Sequence, residues 1–219
     1  MEGREAGAEY YDHVFNSSPD FRGAYKDSRY YVLWTQVVQF VRRFPSPRIL
    51  EIGCGTGQLS RYLYDEGYRD YHGFDFSAKA IELAQKSSEQ SFEVANALDP
   101  GAYWYDYNLV IATEVLEHIR DDWAVLERLR EGTPIIITLP VGDMSEPSHL
   151  RMFHGPRDIT KRYYRHIHFH KIVQVESWFV CLGILGRFKP SFWQRLAKTR
   201  SEVNAYFIFR KAKSLFVGR

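Results

Sequence analysis

Two cysteines, Cys54 and Cys181, are all that 219 residues contain, so no disulfide framework holds this chain and a reducing, cytoplasmic compartment is expected. No apolar run approaches the ~20 residues needed to span a bilayer. The first residues, Met1 to Glu5, are polar and charged and do not read as a secretory leader. There is no internal repeat and no low-complexity tract, which sets aside solenoids and flexible linkers. What the chain does have is 45% hydrophobic residues and a length suited to one α/β domain, too short for two.

The net charge of +2 hides an uneven distribution. Residues 1–146 hold 14 Lys and Arg against 24 Asp and Glu, a balance of −10; residues 147–219 hold 15 against 3, a balance of +12. The basic third either faces an anionic ligand or answers the acidic remainder of the same surface.

The stretch Ile49-Leu-Glu-Ile-Gly-Cys-Gly-Thr-Gly-Gln-Leu-Ser60 organises the rest. It reads as a buried strand over 48–52, a glycine turn, and a helix over 58–66. Glycines at 53, 55 and 57 allow positive φ and a close approach of backbone to ligand. The helix that follows offers free N–H groups at its start. A dinucleotide-binding turn would place its third glycine where Gln58 stands. The observed spacing is G-x-G-x-G with Glu51 two residues before it.

That E-x-G-x-G-x-G form resembles motif I of the class I S-adenosylmethionine (SAM) methyltransferases. The resemblance implies a Rossmann-like α/β fold: a seven-stranded, mostly parallel sheet, six strands parallel and the last antiparallel, with helices on both faces. It implies one domain over 1–219, made of an N-terminal helical lid (1–44), a core (45–175) and a basic, aromatic C-terminal segment (176–219). The cofactor is then SAM, leaving as S-adenosylhomocysteine (SAH), and Glu51, Gly53, Cys54, Gly55 and Gly57 line its turn.

The following strands fit that frame. A strand over 70–75 ends at Asp75, whose carboxylate suits the two ribose hydroxyls, with Phe76 placed to stack on adenine. A strand over 91–95 ends at Asn96-Ala97; the family often has an acid here, and an amide gives a neutral contact or a plain Asx-turn. A strand over 107–112 leads to Thr113 and Glu114, beside the methionine part of SAM. Further strands are expected over 133–140, 168–175 and 203–210, with helices over 28–44, 77–85, 121–130 and 156–165. Tyr11, Tyr31 and Trp34 are lid candidates or helix-packing aromatics. His166, His168 and His170 alternate on one face of the sixth strand. Residues 177–200 read as an extra core element or as an amphipathic face able to lie on a membrane.

For a hydroxyl acceptor the reaction needs a base, and His118 and His149 are the candidates. The segment Thr113-Glu-Val-Leu-Glu-His118 resembles the branch that includes the ubiquinone-biosynthesis O-methyltransferases, whose acceptor loop matches at His149 and Arg151. If helical, it sets Glu114, Glu117 and His118 on one face. The same run resembles the metal site of the small-RNA 3′-terminal 2′-O-methyltransferases, which implies Mg²⁺ on Glu114, Glu117, His118 and His149. That family's later histidine-rich pattern is missing here, so the first reading carries no metal. It is methyl transfer to a hydroxyl of a small or carrier-linked anionic acceptor. RNA 2′-O-methylation and a catalytically silent SAM-binding partner protein are the alternatives.

Overall fold

A computed structural model describes residues 4–142 and 147–186. Five strands alternate with helices in the first part: β1 (Ile49–Ile52), β2 (Tyr71–Asp75), β3 (Ser91–Val94), β4 (Leu109–Thr113) and β5 (Pro134–Pro140). They pair in parallel in the order β3-β2-β1-β4-β5. The order reverses between β1 and β4, and a crevice opens there at the strands' carboxyl ends. A hairpin completes the sheet: β7 (Trp178–Leu185) lies antiparallel between β5 and β6 (Ile167–Val175). Six strands therefore run one way and one the other, as expected.

The antiparallel strand is not where the sequence pointed. Residues 203–210 lie outside the described residues, as does most of the stretch read as a membrane face. The first part of that stretch is β7 itself. Its run Trp178-Phe-Val-Cys-Leu-Gly-Ile-Leu185 is buried along almost its whole length, as a strand flanked on both sides must be. Glu176, with φ of 48°, makes the tight reversal that returns the chain from β6. The β6 edge strand has only partial burial.

Alternation along the strands builds two cores. Leu33, Val37 and Val41 of α2 (Tyr31–Val41) and Leu59 and Leu63 of α3 (Gln58–Asp65) meet Ile49, Leu109, Ile111 and Ile136. On the opposite face Val125 and Leu126 of α5 (Asp122–Glu127), with Ile159 and Tyr163 of α6 (Pro156–Tyr163), meet Leu50, Ile52, Val110 and Ile137. The intervening α4 (Ala78–Ser87) is capped by Ser77, whose side chain accepts from the Ala80 N–H.

One further helix, α1 (Ala8–Ser17), falls in the segment expected as a helical lid, without bounds of its own in the polar, tyrosine-rich sequence, and ends shortly before Pro19. Asp12 of α1 accepts from the Ser77 hydroxyl and from the Lys79 N–H, fastening α1 to the start of α4. No helix among the described residues is long and apolar enough to cross a membrane.

A buried ionic knot secures the acceptor-side helices. Asp122, fully buried, takes hydrogen bonds from Arg162 Nε and Nη2 and from the Tyr163 hydroxyl, with Arg151 Nη2 3.3 Å away. Asp122→Ala leaves buried guanidinium and hydroxyl groups uncompensated and is expected to cost about 3–5 kcal/mol. Urea unfolding measures this, and a loss below about 1 kcal/mol, the level of a surface pair, would contradict it.

Candidate active site

The glycine turn leaves β1 with positive φ at Gly53, Gly55 and Gly57. The Gly53 and Cys54 N–H groups both donate to the Phe74 carbonyl, tying the turn to β2. A Cβ on Gly53 would clash with the Val115 side chain, whereas at Gly55 it would only touch the Phe15 ring of α1 at 3.7 Å, so there the left-handed φ of 51° is what favours glycine. At Gly57 it would meet the Ala84 backbone at 3.1 Å, so that glycine serves helix packing. Gly57, expected with the cofactor turn, is not among the residues that line the cavity.

The cavity, of about 700 Å³, opens over the carboxyl ends of β1, β2 and β4 and is roofed by α1. Glu51, Gly53, Cys54, Gly55, Asp75, Phe76, Asn96, Ala97, Thr113, Glu114 and Tyr11 all line it. Tyr11 packs against Phe76 (5.3 Å between centroids) and edge-on to His118 (5.9 Å). Asn96 makes the Asx-turn, its side-chain oxygen accepting from the Leu98 N–H at 2.8 Å. Tyr31 is a correction: its ring packs on Tyr25 and Tyr62, away from the cavity. Tyr30 and Trp34, four residues apart on the other face of the helix entry, line the wall instead.

Burial shapes the acids. Asp75 Oδ2 accepts from the Gly55 N–H at 3.0 Å and Oδ1 from the Ser77 N–H at 2.9 Å. Burial nevertheless pushes its carboxyl up to about 6 against those bonds. Glu51, at the end of β1, receives the Tyr71 hydroxyl and is pushed by burial to about 8. The Cys54 thiol is raised well above its ordinary value by burial and is no nucleophile.

The segment after β4 is not a helix. Glu114 adopts φ of 55°, and only Leu116–His118 form a short 3₁₀ turn. Glu114, Glu117 and His118 are therefore not on one helical face. Glu117 and His118 meet His149 instead, their ligand atoms within 4.8 Å of one another, and Glu114 is not in that group. Glu117 is fully buried, and neither of its carboxylate oxygens has a hydrogen-bond partner. His118 Nδ1 lies 3.2 Å from the Ser148 carbonyl, which can only accept, so that nitrogen carries the proton and Nε2 turns toward Glu117. Arg151, expected at the acceptor, is a clamp. Its guanidinium donates to the carbonyls of Leu116, Ile119 and Arg120, fixing the loop that carries His149 against the turn that carries His118.

Among the lining residues that the sequence reading does not single out are Arg29, Tyr30 and Trp178. Trp178 opens β7, so its position followed from a strand that the sequence put elsewhere. Tyr30 was legible as the residue one turn before Trp34.

Residues 26–183 match the family described as methyltransferase domain. A segment of 136 residues, 55% of this chain, is 27% identical to a polyketide synthase–nonribosomal peptide synthetase, phmA, of Phaeosphaeria nodorum; it spans only 3% of that protein. Magnesium protoporphyrin IX methyltransferase from Synechocystis PCC 6803, solved with bound SAM, superposes with a TM-score of 0.59 at 17% identity, covering 84% of this chain and 99% of that one. The N-methyltransferase NodS from Bradyrhizobium japonicum WM9, solved with SAH, superposes at 0.58 and 16% identity, covering 81% and 96%. The fold is that of the class I SAM-dependent methyltransferases. The chain belongs to the methyltransferase-domain family.

Three carboxyls around one cavity have raised folded values: Glu51 near 8, Glu114 near 7 and Asp75 near 6. A raised value favours the protonated fold, so their contribution is complete below about pH 4 and is lost as pH rises from there to each folded value. In the ligand-free protein, Glu51→Gln is therefore expected to gain thermal stability relative to wild type as pH rises from about 4.5 to about 8, and to gain no more above that. A pH-independent difference between the two melting temperatures would contradict this.

Proposed function

We propose that this protein transfers a methyl group from SAM to a hydroxyl of a small or carrier-linked acceptor. The observation that carries the reading is the buried Asp75 carboxylate at the end of β2, held beside a glycine turn on the floor of a cavity. Asp75 would hold the ribose hydroxyls, the turn 53–55 would carry the amino-acid end, and Phe76, Asn96 and Ala97 would hold the adenine. Tyr11 would close over it from α1. When bound, SAM supplies a methyl group already activated on a sulfonium. The chain's part is to bind, align and exclude water.

The acceptor then enters beside Tyr30, Trp34, Glu114, Trp178 and His149, with His118 and His149 as candidate bases. An anionic acceptor would meet Arg29, the one Arg or Lys lining the cavity among the described residues. Burial moves Glu51, Asp75 and Glu114 toward neutrality, which weakens the repulsion such an anion would feel.

A second reading is favoured by the convergence of Glu117, His118 and His149. A carboxylate with two imidazoles can hold a divalent ion. A metal there would assist transfer to the 2′-hydroxyl of an RNA end, and chelator would abolish activity. Under the first reading chelator leaves it unchanged.

Calorimetry with SAH tests the cofactor assignment. Wild type is expected to bind. Asp75→Asn is expected to lose about 10- to 100-fold in affinity, the worth of hydrogen bonds to a charged group. Equal affinity in the two proteins would remove Asp75 from the site, and no binding by wild type would remove the function.

A further inference from the structure

Glu114 is held in a way that neither packing nor the cofactor turn requires. It follows β4 in a left-handed conformation, unusual for a residue with a Cβ, and such strain persists where surroundings over-determine it. The surroundings here include a buried hydroxyl that bonds both the Glu114 backbone and its carboxyl. Thr138 sits opposite Thr113 in the β4–β5 register and is fully buried. Its Oγ1 accepts from the Glu114 N–H at 2.9 Å and donates to Glu114 Oε1 at 2.8 Å. The carboxyl is thus locked to its own backbone and lines the cavity beside Tyr30 and Trp178.

We infer that Glu114 is the proton acceptor for the hydroxyl that is methylated, a role that rests on the hydroxyl reading above. Thr138 and Trp178 both hydrogen-bond the carboxylate, and it is this carboxylate that takes the proton. The acceptor O–H bond breaks as its oxygen forms the new O–CH₃ bond. The S–CH₃ bond breaks with its electron pair left on sulfur, which ends as a neutral thioether. The carboxylic acid returns its proton to water after product leaves. Other ionisable groups facing this end of the cavity are Arg29 and Tyr30 before α2, Glu117 and His118 on the following turn, and His149 on the loop after β5. Burial brings the Glu114 carboxyl up to about 7, opposed by the Thr138 and Trp178 hydrogen bonds and by Arg29, which suits a base working near neutrality.

The test uses Glu114→Gln and Thr138→Val in the full chain. Labelled methyl from SAM is followed into the fraction that wild type labels, and SAH affinity is measured alongside. Glu114→Gln is expected to keep SAH affinity, lower kcat about 10²- to 10³-fold, and lose the limb of the pH profile near 7. Thr138→Val removes a hydrogen bond to the charged form, so the limb moves to higher pH while SAH affinity stays. A merely structural role would not move that limb. Unchanged kcat and limb in Glu114→Gln, with label on oxygen, would overturn the assignment alone. Label on nitrogen, or in no fraction, would overturn the hydroxyl reading and this assignment with it.

Discussion

The Asp75 carboxylate is the constraint around which the rest of this molecule is arranged. It is buried at the end of β2 and bonded to two backbone N–H groups, one in the glycine turn and one at the start of α4. Those bonds fix the relation between the turn, the second strand and the fourth helix. The same α4 start receives Asp12 of α1, so the roof of the cavity is tied to its floor through one short segment. A buried carboxylate is costly even when hydrogen-bonded, unless a cation is paired closely with it. The free protein carries that cost at Asp75, and again at Glu51 and Glu114 around the same space. Such groups are retained at sites that bind something.

The half of the cavity where the acceptor is proposed to enter is organised on a different principle. No glycine turn shapes it. It is assembled from the ends of β4, β5 and β7, from the segment before α2, and from the loop after β5. Two side chains hold these pieces in register: Thr138 fixes Glu114, and Arg151 fixes the His118 turn to the His149 loop. Arg151 also approaches Asp122, so the loop is braced on the same buried knot that secures α5 and α6. The cofactor half is set by backbone, and the acceptor half by side chains reaching between elements.

That difference explains what could be read from the chain alone. Gly53, Gly55 and Asp75 sit at fixed distances along a strand–turn–helix–strand unit, so their spacing reports their geometry directly. The parallel order of β1 to β5 follows from the alternation of strands and helices. Tyr31 and Tyr30 differ by one position at a helix start, and only packing decides which ring meets α3. Gly57 looks like a ligand glycine because its conformation is the same; its Cβ space is taken by Ala84 instead. The run Glu114 to His118 was read as helical from an i, i+3, i+4 spacing. The left-handed residue at its head defeats that pattern, separating Glu114 from Glu117 and His118. Strand β7 is not legible because 178–185 lacks alternation, being buried on both faces, which a helix or a core segment would share.

The measurement that tests this account most directly is a crystal structure of the SAH complex. The account predicts both ribose hydroxyls within hydrogen-bond distance of the Asp75 carboxylate, with the thioether sulfur directed toward the Glu114 end of the cavity. SAH bound elsewhere, or a ribose that leaves Asp75 bonded only to Gly55 and Ser77, would contradict it.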